Sequence, residues 1–117
     1  MVQYSRRLDE GFAALADGTR RGILERLRRG AASISELAAG SGMTLTGMKK
    51  HVAVLEAAGF VATAKVGRVR TCRLGPRRLD AETEWIEKHR RLVEERLDRL
   101  GEFLARRKRE RRKGETA

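Results

Sequence analysis

Between Ser33 and Ala58 the chain reads SISELAAGSGMTLTGMKKHVAVLEAA, two short helices joined by a glycine turn. Ser33 followed three residues later by Glu36 is a capping-box signature, so a helix starts there. Leu37 and Ala38 give it apolar contacts, and Gly40-Ser41-Gly42 ends it. Thr44 then caps a longer helix in which Met48, Val52 and Leu55 share one face and point into a core. The opposite face carries Thr46, Lys49, Lys50 and Ala53. Two readings fit this stretch alone. It is a helix-turn-helix built to enter a DNA major groove, or a helical hairpin whose lysines are merely solvated.

The flanks bear on that choice. Leu8, Phe12 and Leu15 fall at helical spacing, after a start at Met1–Arg7 with no periodicity that is expected to be loose. Asp17 is a candidate N-cap for a helix from Gly18 to about Arg29, which buries Ile23, Leu24 and Leu27 and ends at Gly30. Ala31-Ala32 is a short extended link, with room for a single bridge of strand. Gly59 suits a left-handed position just past the second helix of the pair. Beyond it, Phe60–Val66 and Val69–Leu74 read as two strands with Gly67-Arg68 as their turn. Lys65, Arg68, Arg70 and Arg73 along this ribbon give it the character of a wing, and alone it would be marginally stable, so it must pack on the helices. The chain reads as mostly α with a small β-hairpin.

Gly75-Pro76 closes the hairpin, and a helical region runs from about Arg78 to Arg109. Leu79, Ile86, Val93 and Leu100 repeat every seven residues, and Trp85, Leu92, Leu97, Phe103 and Leu104 widen the stripe. Such a helix would run roughly 45 Å, longer than a small domain can cover. Its stripe implies a partner surface, most simply the same helix in a second copy. Leu8 and Phe12 with Trp85, Ile86, Leu92, Val93, Leu97 and Leu100 are the candidate dimer contacts. Gly101 interrupts the pattern and marks a bend or a close helix approach. The expected organisation is a flexible segment 1–7, a domain over 8–104 whose last helix covers about 78–109, and a basic tail over 106–117. That tail is either a frayed, solvated end or an extra arm for phosphates.

Charge supports a polyanionic partner. Lys and Arg number 27 against 16 Asp and Glu, a formal net charge of +11 in 117 residues. Nucleic acid or an anionic membrane surface fits this balance. Aromatics at 4% poorly supply a base-stacking platform for single strands. Cys72 is the sole cysteine, which excludes an intrachain disulfide and a thiolate-rich metal site. It is a small core or strand residue, or else a redox-sensing thiol. No apolar run reaches the roughly 20 residues that span a bilayer, and MVQYSRRLDEG lacks a signal-peptide core. A cytoplasmic location is expected. Two histidines, one cysteine and no glycine-rich phosphate loop leave an enzyme without machinery.

Three segments together resemble the ArsR-type winged helix-turn-helix repressors, over about Leu8 to Leu104. Leu15–Leu24, LADGTRRGIL, is similar to the family's L-A-D-P-T-R-R-x-I-L opening, with Gly18 where proline is usual. Ser35-Glu36-Leu37-Ala38 is the second segment, and Met48–Val61 is similar to a V-S-K-H-L-x-V-L-x-x-A-G-L-V run. The resemblance implies a homodimer in which first and last helices pair across a two-fold axis. It also implies a pseudo-palindromic operator read by the helix from Thr44 and by the wing at Gly67-Arg68, with repression as the outcome. Thr46, Lys49 and Lys50 would face base edges or nearby phosphates. Thr44 and His51 would fix the helix on the backbone, unless His51 is a buried hydrogen-bonded residue. Lys65, Arg68 and Arg70 would serve the wing.

Lys49 stands where the family usually has serine, so an operator cannot be carried over from relatives. Many members sense metals, and here the ligands are missing. No cysteine lies near Ser35–Ala39, and Asp80-Ala81-Glu82 lacks the histidine of a D-x-H pair. His89 has no partner at ligand spacing and reads as a helix-surface or interface residue. No metal, cofactor or inducer site is recognisable. The rival readings are nonspecific nucleoid or RNA binding driven by charge, and a protein-interaction module using the long last helix.

Overall fold

The computed structural model describes residues 2–116. In chain order the elements are α1 (Val2–Leu15), α2 (Gly18–Leu27), β1 (Ala32–Ser33), α3 (Ile34–Ser41), α4 (Leu45–Ala57), β2 (Val61–Val66), β3 (Val69–Leu74) and α5 (Asp80–Thr116). They form two compact units that divide after Leu79. The first holds α1 to β3, and the second is α5.

Side-chain caps set the helix starts. The Asp17 carboxylate accepts from the Arg20 amide at 3.0 Å, and Thr44 Oγ1 accepts from the Gly47 amide at 3.1 Å. Ser33 and Glu36 form the expected reciprocal pair, with Glu36 N donating to Ser33 Oγ at 3.1 Å and Ser33 N to Glu36 Oε1 at 3.4 Å. Each such cap is worth about 1 kcal/mol. Past α4 the chain reverses at Gly59, whose φ of +87° is a left-handed value that a side chain would strain.

The core of the first unit collects one face from each helix. Ile23 and Leu27 of α2 join Ile34, Leu37 and Ala38 of α3 and Met48, Val52 and Leu55 of α4. Ala14, Ala32, Phe60, Val61 and Cys72 complete it, and Met48, Leu55 and Cys72 have no exposed surface. The sheet is antiparallel in the order β1-β3-β2. β2 and β3 pair from Val61↔Leu74 to Val66↔Val69 across the Gly67-Arg68 turn. The third strand comes from the short link before α3, through Ala32↔Cys72 and Ser33↔Thr71. β3 is therefore the middle strand, and the hairpin gains the extra support it needs. Val61 and Cys72 toward its near end are buried, and its far end, from Lys65 to Arg70, is exposed.

The wing's exit is laced back onto α4. Gly75 N donates to Phe60 O at 2.8 Å and Arg77 N to Gly59 O at 3.1 Å. The Arg77 guanidinium donates to Ala58 O at 3.0 Å and to Arg7 O at 2.8 Å, and it stacks 4.8 Å from the Phe60 ring centre. One arginine thus ties α1 to the end of α4, a role that spacing along the chain does not reveal.

α5 has 37 residues, about 55 Å at the usual rise. Arg90 braces its polar side, reaching Glu87 at 2.8 Å and Glu94 at 3.5 Å. Its apolar stripe, including Trp85, Ile86, Leu92, Val93, Leu97 and Leu100, is 45–60% exposed. Among the described residues no helix is long and apolar enough to cross a membrane.

Several boundaries differ from the sequence reading. α1 begins at Val2 rather than near Leu8. A polar helix start needs only propagation from a stable turn, with residues such as Arg6 and Arg7 that suit a helix, and shows no apolar period. α2 closes at Leu27, two residues before the expected end, with Arg28 as its cap. α5 starts at Asp80 and continues through the basic run to Thr116. At Gly101 the helix is unbroken, and within the chain the space a Cβ would fill is open.

Gly75 has no such space. A Cβ there would press on Gly59 O, Val61 N and Phe60 C, all backbone atoms. Gly75→Ala is expected to lower unfolding free energy by about 1–3 kcal/mol through overpacking, read from urea denaturation. Gly101→Ala, in the same assay, should be neutral or slightly stabilising.

Candidate nucleic-acid interface

α4 presents its residues in three directions. Met48, Val52 and Leu55 face the core. Thr46 and Lys50 are exposed on the far side. Lys49, with Leu45, Ala53 and Glu56, lines a groove that the hairpin closes from the other side with Thr63, Lys65, Arg68 and Arg70. This groove has a volume of about 590 Å³ and is open to solvent. The structure therefore brings Lys49, Lys65, Arg68 and Arg70 together, and leaves Thr46 and Lys50 on the adjoining exposed surface. Leu45, half exposed beside Lys49, was not singled out by sequence, because an apolar side chain off the core face carries no periodic signal.

Glu56 is the one carboxylate lining the groove, and it is held by the hairpin. Thr63 donates to Glu56 Oε2 from its hydroxyl at 2.6 Å and from its amide at 3.2 Å. Arg70 donates in turn to Thr63 Oγ1 at 2.9 Å. The chain Arg70–Thr63–Glu56 fixes β2 and β3 against the C-terminal half of α4 and engages the carboxylate. The other charged side chains lining the groove, Lys49, Lys65, Arg68 and Arg70, are all cationic. Long-range partners like these leave no mark in local sequence.

A second network anchors α4 from the opposite side. Arg20 donates from Nε to Ala14 O at 2.8 Å and from its terminal nitrogens to Ala13 O at 3.0 Å and His51 Nδ1 at 3.2 Å. A guanidinium can only donate, so Nδ1 of His51 accepts and the ring proton sits on Nε2. Asp17 Oδ2 lies 3.8 Å from the same nitrogen, beyond hydrogen-bond length, so the Arg20 contact defines the tautomer. The Arg20 amide at the Asp17 cap holds that carboxyl below the usual carboxylate range, with smaller help from the Arg20 charge. His51 is thus partly buried and locked to α2. Thr44 Oγ1 is used as the α4 cap, which leaves its hydroxyl hydrogen for an outside acceptor.

Cys72 faces the core under the sheet. Burial pushes its thiol up, and the nearby Glu56 charge adds to that. A protonated, inaccessible thiol is a poor redox centre. Among the described residues no group of three or more His, Cys, Asp or Glu is placed to hold a metal ion. His89 instead stacks on Trp85, centroids 5.1 Å apart and planes within 7°.

Comparison with known proteins agrees with this architecture. A helix-turn-helix domain family matches residues 15–64. The HTH-type transcriptional regulator Rv2034 of Mycobacterium tuberculosis is 38% identical over 73 residues, 62% of this chain and 68% of that protein. The crystal structure of the ArsR family transcriptional regulator RHA00566 is 44% identical and superimposes with a TM-score of 0.72, covering 80% of this chain and 97% of the other. The chain belongs to the ArsR family of transcriptional regulators. An ArsR-like regulator from Rhodococcus sp. RHA1 is 31% identical with a TM-score of 0.74, over 88% of this chain and 94% of its own. Membership places the regulator outside the enzymes.

Arg20→Met in the regulator removes charged donors from two carbonyls and from His51. It should cost about 2–3 kcal/mol of stability. The imidazole nitrogen shifts of His51 should also change from a single Nε2–H tautomer to an exchanging mixture, which nitrogen-15 NMR reads directly.

Proposed function

We propose that the regulator is a homodimeric repressor that binds a pseudo-palindromic operator, with α4 as recognition helix and the β2–β3 hairpin as wing. The observation that supports this best is the groove in which Lys49 of α4 meets Lys65, Arg68 and Arg70 of the wing while Glu56 is held on Thr63. Such a surface matches a phosphate backbone on the wing side and base edges on the helix side.

In this reading Thr46, Lys49 and Lys50 meet base edges or adjacent phosphates, and a lysine on guanine O6 or N7 is a common cationic contact. The Thr44 hydroxyl and the Nε2–H of His51 donate to backbone phosphates and set the depth of α4. Lys65, Arg68 and Arg70 neutralise phosphates flanking the major groove or enter the minor groove. A second copy covers the exposed stripe of Trp85, Ile86, Leu92, Val93, Leu97 and Leu100, together with Leu8 and Phe12. A symmetric dimer then offers two recognition helices to major grooves roughly 34–36 Å apart. Occupancy over a promoter blocks polymerase.

Selection from a random duplex pool at near-physiological salt, with solution mass measured in parallel, tests this reading. The expected result is an enriched inverted repeat with half-sites one turn apart, bound by a dimer. Lys49→Ala with Lys50→Ala should cost about 1–3 kcal/mol of discrimination per base contact and leave the fold intact by circular dichroism. Arg68→Ala should instead weaken all duplexes alike and flatten the salt dependence by about one unit of slope. Tight low-salt binding with no enriched sequence would replace operator recognition with nonspecific nucleic-acid binding.

A further inference from the structure

The apolar stripe of α5 stops at Leu104, yet the helix continues to Thr116. Residues 105–113 read ARRKRERRK, seven cations against one carboxylate. Every one of these residues is exposed. At 100° per residue the cations surround the helix instead of forming a single face. Arg107–Arg111, Lys108–Arg112 and Arg109–Lys113 are like-charged pairs four residues apart, a spacing that destabilises a helix in water. No apolar burial offsets that repulsion. A helix of this composition is stabilised when a polyanion neutralises it.

We infer that residues 105–113 of α5 form a second contact with duplex DNA, an arm that binds backbone phosphates without reading sequence. This rests on the DNA-binding reading above and adds to it a part of the chain outside the recognition helix and wing. The composition selects the kind of polyanion. Beyond Leu104 there is no large apolar side chain, so the arm has no face to bury in lipid. Beyond Phe103 there is no aromatic, so it has nothing on which single-stranded bases can stack. Duplex phosphates ask only for cations at helical density. The arm therefore raises affinity for any duplex and leaves the choice of operator to α4.

The test uses the full-length chain with R106Q/R107Q/K108Q/R109Q, and a second variant, R106K/R107K/R109K, that keeps the charge. Affinity for a random-sequence duplex and for the selected operator is measured as salt is varied. The glutamine variant should show a slope of log K against log salt that is shallower by about 0.9 for each phosphate it no longer neutralises. Its operator-to-random affinity ratio should match the unaltered protein, and the lysine variant should keep the original slope. An unchanged slope in the glutamine variant overturns the inference. So does a lysine variant as weak as the glutamine one, or a weakening confined to phosphatidylglycerol vesicles. Should Lys49→Ala with Lys50→Ala leave selectivity intact, the recognition-helix assignment fails, while the slope still judges the arm by itself.

Discussion

Ser33 is where the structure is joined. As a strand residue it pairs with Thr71 in the middle strand of the sheet, and as an N-cap it starts α3 with Glu36 as its reciprocal partner. Strand and cap share one extended backbone, so the wing's third strand and the first helix of the helix-turn-helix cannot move independently. Cys72 lies fully buried opposite Ala32 in the same ladder. A two-stranded ribbon without this link would be marginal. With it, the base of the wing joins the hydrophobic core of the helices through Val61 and Cys72.

On that base, two polar networks set the angle of α4. Arg20 holds it from the α2 side through His51, and Glu56 holds it from the wing side through Thr63 and Arg70. The division is chemical as well as geometric. Each carboxylate is engaged, Asp17 at a helix cap and Glu56 by Thr63 of a strand, while Lys49, Lys50, Lys65 and Arg68 are exposed. Hydrogen bonds to charged groups are worth more than neutral ones, so each network helps to position α4.

Local chemistry made much of this fold legible. The Ser33–Glu36 box, the Asp17 and Thr44 caps, the left-handed Gly59 and the Gly67-Arg68 turn each come from a few neighbouring residues and stand as read. The apolar spacing of Met48, Val52 and Leu55 fixed the buried side of α4 for the same reason. The features that stayed hidden depend on residues far apart in the chain. His51 meets Arg20 from 31 positions away, and Arg77 reaches Arg7 across 70. α5 was hidden differently. Apolar periodicity ends at Leu104, so the pattern that announces a helix stops while the backbone continues, and charged residues with good helix propensity carry it on.

The exposed stripe of α5 ties the regulator to mass action. On the proposed reading, in which a second copy covers this half-exposed stripe, folding of α5 and assembly draw on one concentration-dependent equilibrium. In that reading the stripe is open to proteolysis and to wrong partners below the concentration at which copies meet, and becomes core above it. Synthesis rate would then set occupancy of the proposed operator more steeply than linearly, because doubling the chain at low concentration roughly quadruples the paired form. Such a regulator responds sharply to its own supply.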